Sequence, residues 1–333
     1  MKIVVRTPNW IGDSILCIPA LKCLQKNHPE AEIWLAADRW VQGLFRSFDF
    51  VKGFVPIPES GSIKSYRSAA KKLKTYLFDA GLLFPNSFSS ALLFFLAGIP
   101  HRWGFNRDGR GFLLTQSVKK NSIGEIHQAE YYLSLLRLLG MKIYTEELSL
   151  PLSSDEKKEA RESLLKLNVD FSRPLIFLNP GAYYGSAKRW PVSRFAELAS
   201  LLQKNHKGNI IITGSAEEIP LSEKIASSMD LKPIILSGRT TIRQLSAFIS
   251  QADVFVTNDS GPMHIANAFK IPVVAVFGPT DPKITGPLQD PSKVLFKQAA
   301  CWPCFYRDCP FDHRCMMSIS PEEVYEACRS FLK

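Results

Sequence analysis

Short apolar runs alternate with segments of helical periodicity along the whole chain. The apolar runs are bounded by polar or glycine-bearing turns, as is typical of strands that are buried on both faces of a parallel sheet. The predicted strands are Lys2–Arg6, Glu32–Ala36, Gly53–Pro56, Ala80–Phe84 and His101–Gly104, followed by Leu175–Asn179, Asn209–Thr213, Ile234–Leu236, Val254–Thr257 and Val273–Phe277.

Helices are predicted in the intervals between these strands. Thr241 with Gln244, and Ser320 with Glu323, form capping-box patterns that mark two helix starts. The predicted helices are Ile15–Asn27, Trp40–Phe48, Lys64–Thr75, Ser89–Leu96, Ile126–Leu139, Ser153–Asp170, Val192–Asn205, Ile219–Met229, Ile242–Ser250, Met263–Phe269 and one starting at Ser320.

Two runs of alternating strands and helices predict two domains. A chain of 333 residues exceeds one comfortable hydrophobic core, and the linker is expected at Thr145–Ser154. We therefore predict an α/β fold with two Rossmann-like, doubly wound domains, residues 1–150 and 151–333, facing a central cleft. The last helix is a candidate to pack back on the first domain. This architecture is that of GT-B glycosyltransferases and a few epimerases, whereas a dinucleotide oxidoreductase is disfavoured because no G-x-G-x-x-G follows the first strand.

Composition and charge indicate a globular enzyme with an anionic partner. Hydrophobic residues make up 46% of the chain, charged residues 22%, and the net charge is +10. Residues 1–150 hold 19 Lys and Arg against 12 Asp and Glu, whereas residues 151–333 hold 22 against 19. An anionic lipid surface or a phosphorylated substrate fits the basic first half, while no nucleic-acid module is visible.

Localisation follows from two further features. Seven cysteines without a secretory segment indicate a reducing cytosol. The longest apolar run, Ala91–Ile99, is too short to span a bilayer. A buried core helix is favoured there over a surface-seeking one.

The segment Asp253–Pro282 contains the most informative turn. An apolar strand runs into Asn258-Asp259-Ser260-Gly261, and a helix follows. Free N–H groups and the helix dipole at such a place suit a phosphate or pyrophosphate. The alternative is an ordinary turn in which Asp259 or Ser260 caps the helix.

Two other turns carry candidate chemistry. Asp13 follows the first strand beside Gly12, where a carboxylate can deprotonate an acceptor hydroxyl; the alternative is a cap for a helix beginning near Ser14. In the second half, Lys188 and Arg189 lie in a loop after the strand that ends at Asn179-Pro180-Gly181. Two cations there suit a diphosphate.

These motifs together resemble a known family. RTPNWIGD at 6–13, PGAYYGSAKRWP at 180–191, NDSGPMHIA at 258–266 and GPTDP at 278–282 resemble the ADP-heptose:lipopolysaccharide heptosyltransferases of glycosyltransferase family 9, most of all the type II members. The resemblance spans essentially the whole chain. It implies transfer of L-glycero-D-manno-heptose from ADP-heptose to the first heptose of the Kdo-lipid A inner core. The implied transfer inverts the anomeric configuration, requires neither metal nor cofactor, and takes place on the cytoplasmic side of the inner membrane.

The resemblance also implies roles for individual residues. Asp13 corresponds to the general base and Lys188 to the cation that neutralises the departing diphosphate. The implied donor-binding residues are Gly181, Arg189, Asp259, Ser260, Gly261, Met263 and His264, with Glu217 or Glu218 on the ribose. Pro262 departs from the usual pattern, because it has no N–H to offer a phosphate.

The acceptor implied by the resemblance is strongly anionic. We therefore expect Arg102, Arg107 and Arg110, together with the lysines at 71, 72 and 74, to face it or the membrane that carries it. Two alternatives stay open at this point. One is a family member with a different acceptor, and the other is a non-catalytic protein that binds nucleotide sugars or anionic lipids.

The tail contains a cysteine cluster. The spacing of Cys301, Cys304, Cys309 and Cys315 is one that can bind zinc. Proteins that resemble this chain often carry a similar cluster without metal in their recognised chemistry. Packing cysteines are therefore favoured over a zinc site.

Overall fold

The computed structural model describes residues 1–57, 63–119, 126–145 and 147–332. The chain forms two compact units, Met1–Pro151 and Leu152–Lys333. The boundary between them lies in the predicted linker, just before a helix whose first turn is closed by a capping box between Ser153 and Glu156.

The first unit is built on a six-stranded sheet whose strands are all parallel. Its strand order is β3-β2-β1-β4-β5-β6. The strands are β1 Lys2–Arg6, β2 Glu32–Ala37, β3 Val51–Pro56, β4 Ala80–Leu83, β5 His101–Phe105 and β6 Gln116–Val118. The helices are α1 Ile11–Leu16, α2 Ile18–Asn27, α3 Arg39–Phe45, α4 Ile63–Thr75, α5 Phe88–Leu96 and α6 Gln128–Leu138.

The second unit repeats this design. Its parallel sheet has the order β12-β11-β10-β7-β8-β9, which is the same arrangement counted from its own first strand. The strands are β7 Leu175–Asn179, β8 Asn209–Ile212, β9 Ile234–Ile235, β10 Val254–Asn258, β11 Val273–Phe277 and β12 Ser292–Phe296. The helices are α7 Ser154–Lys166, α8 Val192–His206, α9 Ile219–Ser227, α10 Ile242–Ile249, α11 Gly261–Ala268, α12 Pro282–Thr285, α13 Arg314–Met317 and α14 Pro321–Arg329.

The predicted fold class, two doubly wound parallel sheets, is confirmed. Strands β7, β10 and β11 are buried at every residue, as a sheet covered by helices on both faces requires. The capping boxes at Thr241 and Ser320 are also present. The sequence left open whether the last helix, α14, packs on the first domain. In the structure, α14 packs on α8 within the second unit.

The elements differ from the prediction in two respects. The edge strands β6 and β12 were not predicted, because they are partly exposed and lack a continuous apolar run. The first helix begins at Ile11 rather than Ile15, with Trp10 as its N-cap. The core helix favoured for the longest apolar run is confirmed, since Leu93 and Phe94 of α5 lie in a buried cluster, although Phe95 is 49% exposed. Across the described residues, no helix is long and apolar enough to cross a membrane.

Candidate active site

Polar turns gather at the topological switch point of the second sheet, where β7 lies beside β10. The connections after these two strands leave in opposite directions, which opens a crevice at the carboxyl edge of a doubly wound sheet. Asn179-Pro180-Gly181 follows β7, and Asp259-Ser260-Gly261 follows β10. The sequence therefore brings its two predicted donor-binding turns to one place.

Two asparagines fix these turns to each other. Asn258 Nδ2 donates to the carbonyl oxygen of Pro180 at 2.8 Å, and its Oδ1 accepts from the backbone N–H of Trp190 at 3.0 Å. Asn179 Nδ2 donates to Ser260 Oγ at 3.0 Å. Both amides are nearly fully buried, so the turns are held by hydrogen bonds that water does not weaken.

Lys188 and Asp259 form a buried ion pair within this arrangement. Lys188 Nζ lies 2.5 Å from Asp259 Oδ2, and the two side chains are 11% and 5% exposed. Thr280 Oγ1 donates to the same carboxylate oxygen at 2.7 Å. Asp259 thereby fixes the position of the Lys188 ammonium group within the turn.

Helix α11 begins directly after Asp259. Ser260 occupies the N-cap position but makes no side-chain capping bond; its hydroxyl is bonded to Asn179 and lies 3.0 Å from Thr257 Oγ1. The alternative in which Asp259 or Ser260 caps the helix is therefore wrong. Pro262 lies in the first turn, where a missing N–H breaks no helical hydrogen bond.

The remaining donor-binding candidates differ in exposure. Met263 and His264 are buried, at 0% and 3% exposure, so their side chains line the interior beneath the turn. Arg189 Nη2 donates to the carbonyl oxygen of Ala182 at 3.3 Å. Its Nε is buried and has no hydrogen-bond partner among the residues that the structure describes.

Glu218 is the better placed of the two ribose candidates. Its carboxylate lies against Gly181, where any Cβ would overlap it, and accepts from the backbone N–H of Ser215 at 2.8 Å. Glu217 is exposed, and hydrogen bonds from its own backbone N–H and from Ser215 lower its pKa. Of the two, only Glu218 touches the predicted donor turns.

The cysteine-bearing segment (residues 301–315) packs against the loop that carries Lys188. The backbone N–H of Ala187 donates to the carbonyl oxygen of Arg307 at 2.9 Å, and Ser186 Oγ donates to Asp308 Oδ1 at 2.6 Å. His313 Nε2 lies 2.7 Å from the carbonyl oxygen of Ala187. This segment therefore holds the Lys188 loop in place through these hydrogen bonds.

The four cysteines whose spacing allows a zinc site line one small cavity within this segment. Its volume is about 10 Å³, and Cys301, Cys304, Cys309 and Cys315 all contribute to its wall. Burial raises the pKa of the Cys315 thiol. In the described part of the chain, no three His, Cys, Asp or Glu side chains form a group that could hold a metal ion.

The first unit carries the candidate base. Asp13 lies in the first turn of α1, after β1 at the switch point between β1 and β4. Because the helix begins at Ile11, the alternative in which Asp13 caps it is wrong. The buried Tyr132 donates from its hydroxyl to Asp13 Oδ1 at 3.2 Å. Burial, and then the charge of Asp13, raise the pKa of Tyr132 well above its usual value, so it stays a donor.

A buried arginine supports the turn before Asp13. Arg6 Nη1 donates to the carbonyl oxygen of Thr7 at 2.7 Å, and Nη2 donates to Asn9 Oδ1 at 2.6 Å. Burial lowers the pKa of Arg6 to about 10. The RTPN motif is therefore a hydrogen-bonded support that fixes where α1 begins.

The three arginines expected at the acceptor occupy different environments. Arg110 is fully buried and donates to the carbonyl oxygens of Phe105, Pro85 and Ser87, so the expectation that it faces an acceptor at the surface is wrong. Arg102 is half-buried, with its Nε donating to the Leu113 carbonyl oxygen at 2.6 Å. Arg107 is half-buried beside Tyr131. Arg102 and Arg110 thus bond mainly to backbone carbonyls of neighbouring loops.

Sequence reasoning missed two side chains that hydrogen-bond to candidate site residues. Thr280 lies in the GPTDP motif, but its bond to Asp259 spans 21 residues. Tyr132 lies 119 residues from Asp13, and only its place on a predicted helix was visible in the sequence. Neither partnership follows from local spacing.

Two Rossmann-like domains with polar turns at their switch points are the architecture of GT-B glycosyltransferases. The chain belongs to glycosyltransferase family 9 (heptosyltransferase), whose model matches residues 66–314. The protein is therefore a heptosyltransferase, as the motifs indicated.

Relatives match the chain over its whole length. It is 31% identical to lipooligosaccharide heptosyltransferase 2 of Campylobacter jejuni, over 100% of this chain and 99% of that protein. It is 30% identical to lipopolysaccharide heptosyltransferase 2 of Escherichia coli, again over 100% and 99%. The solved structure of E. coli ADP-heptose lps heptosyltransferase II is similar, with 28% identity, a TM-score of 0.86 and coverage of 99% and 98%.

Proposed function

We propose that this heptosyltransferase moves L-glycero-D-manno-heptose from ADP-heptose to the first heptose of the Kdo-lipid A inner core. The observation that carries the donor half is the buried Lys188–Asp259 pair at the amino end of α11. A fixed cation and a helix dipole at one turn stabilise the negative charge that grows on a departing diphosphate. Arg189, with its buried Nε, is the second cationic residue of this site.

The reaction is a single displacement in which Asp13 acts as the base. The acceptor hydroxyl loses its proton to Asp13 while its oxygen bonds to the anomeric carbon. The bond from that carbon to the phosphate oxygen breaks, and its electron pair leaves with ADP. Attack opposite the leaving group inverts the anomeric configuration. The bond from Tyr132 holds the Asp13 carboxylate in one orientation, as a general base requires.

The donor nucleoside and the acceptor are assigned to different units. Glu218, beside Gly181, is assigned to the ribose, while Met263 and His264 support the turn from below. The first unit takes the anionic acceptor, with Arg107 as the arginine candidate. The enzyme works in the cytoplasm, in peripheral contact with the inner membrane, and its chemistry needs no metal ion and no nucleic acid.

Product mass tests this proposal. Purified protein is incubated with ADP-heptose and Kdo-lipid A that carries one heptose, and we expect the acceptor mass to rise by one heptose while ADP is released. Kdo-lipid A without heptose is the matched control acceptor and should stay unmodified. Transfer only to that control, or to neither acceptor, would contradict the assignment of the acceptor.

A further inference from the structure

An apolar stripe lies on the outer side of helix α5 in the first unit. It consists of Phe88, Phe95, Leu96 and Phe112, whose exposures are 40%, 49%, 47% and 75%. Positions 88, 95 and 96 share one face of α5, because seven or eight residues complete two helical turns. Phe112 extends this face, since its ring lies 6.1 Å from that of Phe88. The stripe therefore has Phe88 and Phe112 at the start of α5, and Phe95 and Leu96 at its end.

A basic face lies beside this stripe. Helix α4 packs against α5, and both helices contribute to one hydrophobic cluster on the same side of the sheet. Along its described length α4 carries no acidic residue. Its exposed cations, which form the basic face, are Lys64, Arg67, Lys71, Lys72 and Lys74.

Arg102 adds a cation to the stripe itself. Its guanidinium carbon lies 5.4 Å from the centre of the Phe95 ring, and its Nε is held by the carbonyl oxygen of Leu113. Arg102 is thereby fixed at the end of the stripe where α5 ends. A positive charge that is fixed over an exposed aromatic ring suits the boundary between lipid headgroups and acyl chains.

We infer that the apolar stripe and the basic face together dock this enzyme on an anionic lipid bilayer. The aromatic and leucine side chains enter the headgroup boundary, and the cations of α4 contact the lipid phosphates. A protein partner is disfavoured, because interface cores are depleted in lysine, whereas the helix that packs against α5 exposes four lysines. The inference deepens the proposed function, which requires a lipid-borne acceptor.

The placement also serves the reaction. Phe88 follows the carboxyl end of β4, and Asp13 follows the carboxyl end of the neighbouring β1. One end of the stripe therefore lies at the same edge of the first sheet as the candidate base. An acceptor whose lipid stays in the bilayer would present its sugars near this edge.

Vesicle binding without substrates tests the inference. We would measure co-sedimentation with phosphatidylcholine vesicles that contain about 30% phosphatidylglycerol, a charge density chosen to resemble an anionic leaflet. The double variant Phe95→Ser with Leu96→Ser should bind at least tenfold more weakly, because two half-exposed apolar side chains no longer leave water. Replacing Lys71, Lys72 and Lys74 by Gln should weaken binding to a similar degree and flatten its salt dependence.

A matched double variant tests whether the loss of any two exposed apolar side chains weakens vesicle binding. Leu138→Ser with Leu165→Ser removes two helical side chains of 48% and 52% exposure outside the stripe, and it should bind as the parent does. Phe112→Ser, at the most exposed position of the stripe, gives a second test if the α5 variant unfolds. Thermal unfolding of each variant separates weaker binding from lost structure.

Several outcomes would overturn the inference. One is that the parent protein does not bind anionic vesicles, and another is that the stripe and control variants lose vesicle binding equally. A third is that the parent protein self-associates and the stripe variants abolish this self-association. The proposed function fails separately. A protein that binds vesicles but transfers no heptose to any acceptor refutes the reaction, whereas one that glycosylates a detergent-dispersed acceptor without binding vesicles refutes the docking surface.

Discussion

At the scale of single residues, two carboxylates follow strands at equivalent sheet edges and do different work. Asp259 is nearly buried and bonded to Lys188 and Thr280, so its charge is used to hold a cation. Asp13 is half-buried and receives a hydrogen bond from the Tyr132 hydroxyl on Oδ1. The two carboxylates therefore differ in environment rather than in residue type, and the proposed roles follow that difference.

Replacing Asp13 tests its role as the base. Asp13→Ala should lower kcat by roughly 10²- to 10⁴-fold, the usual size of acid–base assistance, and should leave ADP affinity nearly unchanged. Single-turnover transfer and ADP titration measure the two quantities. A variant that turns over at the parent rate would remove Asp13 from the mechanism.

Replacing Lys188 tests the donor site. Lys188→Ala should reduce kcat/KM for ADP-heptose by about 10²- to 10³-fold, since a preorganised charge at the leaving group is lost. The loss should not be rescued by added Mg²⁺, and EDTA should leave the parent protein active. Strict dependence of the parent on Mg²⁺ would show that Lys188 does not replace a metal.

At the scale of elements, the position of the Lys188 loop depends on the cysteine-bearing segment that packs against it. A Cβ at Gly185 would overlap the backbone carbonyl of Arg307, which cannot rotate away as a side chain can. The two segments are also joined by the bonds from Ala187 and Ser186. Close backbone approach therefore explains the glycine in the GSAKRWP motif.

Substituting this glycine tests that dependence. Gly185→Ala should push the two segments apart, raise the KM for ADP-heptose several-fold and lower the melting temperature. Gly140→Ala is the matched control, because it adds a Cβ in open space at a φ of +82°. The control should cost about 1 kcal/mol of stability and leave the donor KM unchanged. Equal donor effects in both variants would contradict the support role.

At the scale of the whole molecule, the same strand order is used twice. Each copy places its candidate chemistry at the switch point, because only there do adjacent connections diverge and leave a crevice. In the first unit this edge carries Asp13, and in the second it carries Lys188. The fold thus explains why motifs that are far apart in sequence belong to two sites rather than many.

The free energy of unfolding should depend on pH through the buried Tyr132. Its pKa is raised in the folded state, so the fold's preference for the neutral phenol is fully present below the unfolded pKa of about 10. That contribution is lost as the pH rises toward the folded pKa. Between pH 8 and pH 11 the parent should lose about 1.4 kcal/mol more unfolding free energy than Tyr132→Phe, as measured by denaturant titration. Parallel losses in both proteins would place the tyrosine in a solvated site.

The sequence by itself determined the fold class, most elements and the turns that carry chemistry. Buried parallel strands are read easily, because each is a continuous apolar run bounded by turn residues. The edge strands β6 and β12 were not predicted. Each is paired on one side only, and its exposed positions interrupt the apolar run. The candidate turns were found because glycine, proline and paired charges are local signals.

Tertiary structure decided what those side chains touch. Nothing near Arg110 in the sequence predicts burial, yet three backbone carbonyls hold its guanidinium and remove it from the surface. Likewise, Thr280 reaches Asp259 and Tyr132 reaches Asp13 only because strands and helices distant in sequence pack side by side. Local periodicity encodes which face of an element is apolar. The partner of a buried polar group depends on long-range packing, which no short window of sequence contains.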